Sequence, residues 1–308
     1  MGASRRTSGN GEDAAMGDPV RRLAVGTAQF GMDYGVANAA GRMTFDDARA
    51  VVQLARANGI DTIDTAVAYG ESQSTLGRIG VAGLRVVTKL PAFAGSAEDV
   101  RGWVGRTVDE ALAQLRLPTI YALMFHHAGD LVGPYGPALY QEVLRLRDAG
   151  KVSRIGVSVY DSEELAAVAL RYSVDLVQAP YNVFDQRIAE SGWLDRLADS
   201  GVEVHTRSVF LQGLLLMKAL DRPAYFLPWS RELREWDEWC EREAVSPLEA
   251  ALGFVLRDRR VDRVLVGIDG PTQLSEIRDA ARRVDDGDRY QGSGVDDPAL
   301  VNPSFWRV

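Results

Sequence analysis

Short runs of apolar and β-branched residues alternate eight times with longer amphipathic stretches along this chain. The alternation predicts repeated strand–helix units and a parallel sheet, because each connecting helix returns the chain to the same edge. The predicted strands are 22–27, 62–66, 85–89, 120–125, 154–158, 176–179, 202–206 and 263–267. The predicted helices are 44–59, 72–78, 97–115, 137–148, 161–171, one near 193, 247–257 and 271–282.

Two parallel folds compete for this pattern, a closed (β/α)8 barrel and an open doubly wound sheet. The open sheet usually has roughly five to seven strands and a glycine-rich turn after the first strand. Here Gly26, Gly31 and Gly35 are too dispersed for a G-x-G-x-x-G turn, and eight strand–helix units complete a barrel. We therefore predict a single-domain (β/α)8 (TIM) barrel over residues 21–308, after a disordered leader over residues 1–20.

The composition narrows the possible partners. A net charge of −8 argues against nucleic acid and anionic membranes. Cys240 is the only cysteine, which excludes an intramolecular disulfide and a cysteine-rich zinc site. No apolar run approaches the about 20 residues of a membrane span, and the first 18 residues lack the apolar segment of a secretory signal. We expect a cytoplasmic protein, a monomer or homo-oligomer, that acts on a small molecule.

Polar side chains stand at the carboxyl ends of three adjacent predicted strands. Asp64 lies at the end of the second strand and is followed by Tyr69, Lys89 ends the third strand, and His126 follows the fourth. Side chains at these ends converge on one mouth of a barrel, where catalysis takes place. A carboxylate, a phenol, an amine and an imidazole at one mouth form a candidate site for proton transfer.

These residue types suit the reduction of a carbonyl group. A tyrosine with a pKa of about 10 is a weak acid at neutral pH, and a nearby lysine ammonium would lower that pKa by about 1–3. Asp64 would supply the counter-charge that a buried Lys89 requires. An imidazole would hydrogen-bond to the carbonyl oxygen, and the hydride has to come from a cofactor.

His126 and His127 are neighbours at a predicted strand end, so we expect their side chains to point to opposite faces. Only one of them would then enter the mouth. This also argues against a barrel hydrolase that holds a metal with Asp64, His126 and His127, because adjacent strand histidines cannot both face one ion. We predict no metal site, and we expect His205, in the middle of the seventh strand, to be structural.

Several segments, in order, resemble the motifs of bacterial members of the aldo-keto reductase family. They are GIDTIDTAVAYGESQSTLG (59–77), VVTKL around Lys89, YALMFHH before Ala128, GKVSRIGVSVY (150–160) and VQAPYN (177–182). The similarity extends from about Leu23 to Ile277. It implies reduction of an aldehyde or ketone to an alcohol by hydride transfer.

The resemblance also implies roles for individual residues. Tyr69 would be the general acid, Asp64 and Lys89 would tune it, and His126, which matches the motif position, would orient the substrate. Further substrate contacts are expected from Phe30 and Tyr34. The implied cofactor-binding residues are Gly26, Thr27, Asp64, Ser158, Gln178, Arg207, Ser208, Gln212, Gly213, Gly267, Gly270 and Gln273.

The chain departs from the family pattern at the expected cofactor site. Val159 stands where the family often has Asn, and Arg207 replaces the aromatic residue that commonly stacks on the nicotinamide. The last segment, GIDGPTQLSEI, lacks the basic residues that often bind a 2′-phosphate, and Asp269 adds negative charge. The family leads us to expect NADPH, and NADH stays open.

Two functions fit these residues. The first is catalytic reduction, and the segment RSVFLQGLLL resembles bacterial members that act on sugar-like or secondary-metabolite carbonyls. The second is a regulatory subunit that binds the cofactor and senses its redox state with little turnover. The complete set of Asp64, Tyr69, Lys89 and His126 favours the first.

Overall fold

Eight short strands hydrogen-bond to one another in sequence order, and the last pairs with the first, so the sheet closes into a barrel. All pairings are parallel. The computed structural model describes residues 18–33, 35, 41–284 and 290–307. The strands are β1 Leu23–Gly26, β2 Thr62–Asp64, β3 Arg85–Leu90, β4 Ile120–Phe125, β5 Val152–Ser158, β6 Leu176–Pro180, β7 Glu203–Arg207 and β8 Arg263–Gly267. The predicted (β/α)8 barrel is confirmed.

Helices connect these strands on the outside of the barrel. They are α1 Ala28–Gly31, α2 Phe45–Ala57, α3 Ser72–Ile79, α4 Val100–Leu115, α5 Ala128–Val132, α6 Gly136–Asp148, α7 Ser162–Ala169, α8 Arg187–Glu190, α9 Trp193–Asp199, α10 Ser230–Arg242, α11 Pro247–Leu256, α12 Pro271–Arg282 and α13 Pro298–Val301. Most predicted boundaries differ from these by a few residues at most. The sequence did not predict the short helices α1, α5, α8 and α13, because a single helical turn has too few residues for a periodic pattern.

Polar side chains fix where several helices begin. Thr44 accepts a hydrogen bond from the backbone N–H of Asp47 and caps α2, as the sequence predicted. Ser246 and Glu249 form a reciprocal capping box at the start of α11. Each cap satisfies backbone N–H groups that have no partner within the helix.

The predicted leader lies mostly outside the described residues. At its described end, Asp18 accepts from the backbone N–H of Val20 and caps a 3-10 turn, Pro19–Arg22. Val20 is buried against the barrel core. The cap and this apolar burial fix the turn that leads into the first strand.

Alternate residues of the strands face the inside of the barrel. Val87, Ala122, Met124 and Leu176 form an apolar cluster of their own, whereas the adjacent Val86, Leu123, Phe125 and Val177 belong to the core between strands and helices. This two-residue period is the one that a strand imposes. The packed interior leaves only the ends of the barrel open to a ligand.

The same inward face of β7 carries Glu203 and His205. His205 Nε2 lies 2.8 Å from Glu203 Oε1, and the Tyr121 hydroxyl donates to Glu203 Oε2 at 2.6 Å. Burial opposes ionisation of Glu203, but the hydrogen bonds from His205 and Tyr121 outweigh it and lower the pKa of Glu203 to about 2. His205 is fully buried, as expected for a structural histidine.

Helix α10 packs against the barrel through its aromatic face. Trp236 is fully buried and donates from Nε1 to the carbonyl of Leu215 at 3.0 Å. Cys240 lies on the same buried face, and burial raises the pKa of its thiol to about 12. Within the described ranges, no helix combines the length and the apolar character needed to cross a membrane.

Helices α3 and α4 approach so closely at Gly77 that no side chain fits there. A Cβ atom at Gly77 would lie 1.9 Å from the backbone oxygen of Gln114. We expect Gly77→Ala to lower the free energy of unfolding by roughly 1–3 kcal/mol, the usual cost of overpacking. Urea denaturation followed by circular dichroism measures this change.

Gly105, inside α4, is the matched control because a Cβ there meets nothing within 4 Å. Gly105→Ala should instead stabilise the protein by about 0.5–1 kcal/mol, since alanine loses less conformational entropy in a helix. Equal effects of the two substitutions would contradict the close packing of α3 on α4.

Candidate active site

A buried ion pair joins the ends of β2 and β3. Lys89 Nζ donates to Asp64 Oδ1 and, at 3.2 Å, to the carbonyl of Thr65. Both charged side chains are only 1% exposed. Asp64 Oδ2 accepts from Gln178 Nε2 at 2.8 Å, which ties the pair to β6. Two buried charges are stable only when each is paired and hydrogen-bonded, and here both conditions hold.

Hydroxyl groups fix the backbone where the ends of β1 and β2 meet the start of α3. The N–H and the hydroxyl of Thr27 both donate to the carbonyl of Asp64, at 3.0 and 2.9 Å. The Ser72 hydroxyl, at the start of α3, lies 2.8 Å from that of Thr27 and 3.0 Å from that of Thr65. These bonds hold the ends of β1 and β2 and the start of α3 in one arrangement.

Tyr69 lies in the tight loop between β2 and α3, next to this pair. Lys89 Nζ is 5.3 Å from the centre of the Tyr69 ring, and His126 approaches the ring edge-on at 6.0 Å between centroids. A Cβ at Gly31 would lie 1.8 Å from the Tyr69 carbonyl, so α1 can pack on the loop only with glycine there. The structure therefore brings together Asp64, Tyr69, Lys89 and His126, the four predicted catalytic residues.

The acidity of Tyr69 differs from the expectation. Burial raises the pKa of Tyr69, the Asp64 carboxylate raises it further, and Arg207 opposes both. The predicted lowering of this pKa by Lys89 is wrong, because Asp64 offsets the lysine charge and burial disfavours the phenolate. Tyr69 is thus fully protonated at neutral pH, the form that a proton donor needs.

His126 and His127 do not point to opposite faces, contrary to the prediction. Their rings stack with centroids 5.1 Å apart and planes 28° apart. The reason is that β4 ends at Phe125, so the alternation of a strand no longer applies to the two histidines. His126 is the more buried of the two and the one that contacts Tyr69.

The His126 imidazole is neutral at physiological pH. Burial lowers its pKa to about 4, helped by the charge of Lys89. Its Nδ1 is buried and has no hydrogen-bond partner among the described residues. A neutral ring retains one N–H donor and one acceptor, so it can donate to a carbonyl oxygen without carrying charge.

A cavity of about 330 Å3 opens beside this group at the carboxyl end of the barrel. Its wall includes Tyr69 and most of the residues that the sequence assigned to cofactor binding. Those at the wall are Gly26, Thr27, Asp64, Gln178, Arg207, Ser208, Gln212, Gly213, Gly267 and Gln273. The strand ends β1, β2, β6, β7 and β8 thus meet at one binding site.

Some assigned residues lie elsewhere. Ser158 and Gly270 are beside the wall rather than on it: Ser158 pairs in register with Gln178, and Gly270 is the residue before α12. Phe30 is buried in the core and is not exposed for the predicted substrate contact, because α1 turns its ring inward. Tyr34, the other predicted substrate contact, lies outside the described residues.

Two of the departures from the family pattern, Val159 and Arg207, contact each other. Arg207 Nη2 donates to the carbonyl of Val159 at 3.1 Å, and the guanidinium lies 4.4 Å from the centre of the Tyr160 ring. No carboxylate of the described chain forms an ion pair with Arg207. A partly buried guanidinium that forms no ion pair within the described residues therefore stands at the cavity wall.

The loop after β7 has a strained backbone that sequence reasoning did not foresee. Ser208, Leu211 and Gln212 have φ of 63°, 47° and 54°, a region costly for residues other than glycine. Asn182, whose segment was expected to contact the cofactor, instead donates to the carbonyl of Ser208 at 3.0 Å. Strain of this kind concentrates at ligand sites, and this loop forms one side of the cavity.

The loop after β8 forms another side of the cavity. Asp269 donates from its backbone N–H to Gln273 Oε1 at 2.7 Å, and its carboxylate accepts from Gln29 Nε2 at 3.4 Å. Gln29 was not predicted as a site residue, because nothing in the sequence relates the first loop to the last one.

These features fit a nicotinamide dinucleotide. Loops after the seventh and eighth strands of such barrels often bind phosphate, and glycine at 213 and 267 permits close approach of the backbone. Amide side chains at the inner end suit a carboxamide. Among the described residues there is no group of three or more His, Cys, Asp or Glu side chains that could hold a metal ion.

Comparison with known proteins gives a family. The sequence model of the aldo/keto reductase family matches residues 22–288. L-glyceraldehyde 3-phosphate reductase of Escherichia coli O157:H7 is 28% identical over 152 residues, and NADH-specific methylglyoxal reductase of E. coli K12 is 25% identical over 145 residues. Each match covers 42% of this chain and 44% of the relative, so the chain spans less than half the length of these curated relatives.

Solved structures share the fold. Glycerol dehydrogenase from Gluconobacter oxydans has a TM-score of 0.66 and 23% identity, with 88% of each chain covered. An aldo-keto reductase from Bacillus halodurans has a TM-score of 0.68 and 19% identity, with 88% of this chain and 94% of the other covered. At such identities the likeness supports the barrel fold alone.

Replacement of Asp64 by Asn leaves the Lys89 ammonium buried without a counter-charge. We expect the free energy of unfolding to fall by roughly 3–5 kcal/mol, measured by urea denaturation. The double variant Asp64→Asn/Lys89→Met removes the unpaired charge as well and should recover part of the loss. If the double variant lost as much free energy of unfolding as the two single variants together, the two side chains would not depend on each other.

The low pKa of His126 has a consequence for stability. The folded protein binds this proton only near pH 4, whereas an unfolded histidine binds it near pH ~6.5. The contribution of His126 to stability is thus complete above pH ~6.5 and decreases as the pH falls towards 4. Titration of the imidazole by NMR should give a pKa well below the ordinary value, and Lys89→Met should raise it. An ordinary pKa in the native protein would contradict the buried, neutral state.

Proposed function

Since the chain belongs to the aldo/keto reductase family, we propose that it reduces an aldehyde or ketone to an alcohol with a nicotinamide cofactor. The observation that carries the proposal is the buried Asp64–Lys89 pair with Tyr69 and His126 beside it. Asp64 and Tyr69 lie on the wall of a cavity whose donors suit a dinucleotide.

The bound cofactor supplies the hydride, and the chain supplies the proton. Hydride addition leaves negative charge on the carbonyl oxygen, and the Tyr69 hydroxyl donates its proton to that oxygen. The neutral His126 ring donates a hydrogen bond to the same oxygen and fixes its position. Donors that are already in place stabilise the developing charge without reorganisation.

The Asp64–Lys89 pair acts on Tyr69 in two ways. It keeps an ammonium 5.3 Å from the ring centre, where it stabilises negative charge that forms on the phenol. It also occupies both oxygens of the Asp64 carboxylate, through Lys89 and Gln178, so the carboxylate does not compete for the tyrosine proton. The raised pKa of Tyr69 ensures that the proton is present before reaction.

The cofactor residues divide by position. Gln178 Nε2 is engaged by Asp64, so its Oε1 would accept from the carboxamide N–H, together with the neighbouring Ser158 hydroxyl. Backbone and side-chain groups of the last two loops would bind the phosphates: Ser208, Gln212, Gly213, Gly267, Gly270 and Gln273. Gly26, Thr27 and Arg207 complete the wall around the nicotinamide.

The substrate proposed is a small oxygenated, sugar-like carbonyl compound. The two curated relatives are named for L-glyceraldehyde 3-phosphate and methylglyoxal, which are both small oxygenated aldehydes. The family leads to NADPH as the cofactor, with NADH as the alternative.

Loss of NADPH or NADH absorbance against a panel of aldehydes and ketones tests the reaction. Tyr69→Phe removes only the proton donor and should lower kcat by about 10²–10⁴ without changing cofactor affinity, measured by thermal shift. Tyr160→Phe, a second tyrosine near the mouth, is the control and should retain activity. Full activity of Tyr69→Phe would overturn the mechanism, and cofactor binding without turnover of any carbonyl would favour the regulatory subunit.

A further inference from the structure

The charge at the wall of the cavity is not uniform. Arg207 is the only lysine or arginine among its described wall residues. It lies at the reacting end, because it contacts Val159 and Tyr160 and its charge influences the pKa values of both Tyr69 and His126. The loop after β8, at another side of the cavity, has no basic side chain at the wall.

Asp269 occupies that other side. It lies on the wall between Gly267 and Gln273, in the loop that leads into α12. Loops after the seventh and eighth barrel strands receive phosphates, so the proposed function puts the phosphate-bearing half of the dinucleotide against this loop. The carboxylate therefore faces the part of the cofactor in which NADH and NADPH differ.

The carboxylate is held in place from two directions. Gln29, which is 6% exposed, donates from Nε2 to Asp269 Oδ1 at 3.4 Å. The backbone N–H of Asp269 donates to Gln273 Oε1 at 2.7 Å. Because β1 and β8 are adjacent in the barrel, the first loop supports the last one.

The arginines of α12 do not compensate for this charge. Arg278 pairs with Asp279 at 2.7 Å, and Arg282 donates to Asn58 Oδ1 at 3.1 Å. Neither belongs to the cavity wall. A 2′-phosphate near Asp269 would thus meet a like charge with no cation at the wall beside it.

We propose that Asp269, supported by Gln29, makes this protein select NADH over NADPH. The ribose 2′-hydroxyl of NADH donates a hydrogen bond to such a carboxylate, whereas the 2′-phosphate of NADPH is repelled by it. The inference rests on the proposed function and reverses the cofactor expected from the family. It assigns a specificity-determining role to a loop residue and its buried partner.

The test compares the Kd of NADH and of NADPH by quenching of protein fluorescence, without substrate. Wild-type protein should bind NADH at least about tenfold more tightly, a difference that corresponds to about 1.4 kcal/mol. Asp269→Asn should bring the two Kd values together, mainly by improving the binding of NADPH. Gln29→Ala should weaken the preference less, because it removes only the support.

Asp46→Asn is the matched control, since it removes one negative charge from exposed residue 46 on α2, away from the cavity wall. It should leave the ratio of the two Kd values unchanged. The proposed preference for NADH would be overturned if wild-type protein bound both cofactors equally or bound NADPH more tightly. It would also be overturned if Asp269→Asn left the ratio of the two Kd values unchanged. Each of these outcomes would leave the proposed reduction intact. Binding of neither dinucleotide would overturn both proposals.

Discussion

The buried pair of Asp64 and Lys89 is the interaction on which the rest of the site depends. An ammonium and a carboxylate that are each 1% exposed require each other, and they require further hydrogen-bond partners. Gln178 and the Thr65 carbonyl supply these, so β2, β3 and β6 are linked at one point. The barrel packs a cluster of apolar side chains beneath this point, which closes the floor of the site.

The surroundings of the pair set the protonation states that reduction needs. The same burial that keeps Tyr69 protonated also keeps His126 neutral. A proton donor and an uncharged hydrogen-bond donor therefore coexist a few ångströms from a lysine. Their states are set by desolvation first and by neighbouring charges second, because a buried site disfavours every ion that lacks a partner.

Charge is distributed unevenly along the cavity beside Tyr69 and Asp64. Arg207, held by Val159 and Tyr160, provides positive charge near the reacting end, and Asp269 provides negative charge at the loop after β8. Both residues depart from the pattern of the family, and both have supporting contacts within this chain. Contacts within the loops thus hold both residues in place. Their charges affect which ligand the cavity binds rather than the proton transfer.

The sequence by itself determined the eight strand–helix units, the cap at Thr44, and the positions of Asp64, Tyr69 and Lys89 near strand ends. These follow from periodicity and from spacing along the chain, which are local properties. Only the tertiary structure decided that His126 and His127 stack, that burial raises the pKa of Tyr69, that Phe30 turns inward, and that Gln29 reaches Asp269. The physical reason is that burial and contacts between distant loops arise only when the barrel closes and brings β8 next to β1.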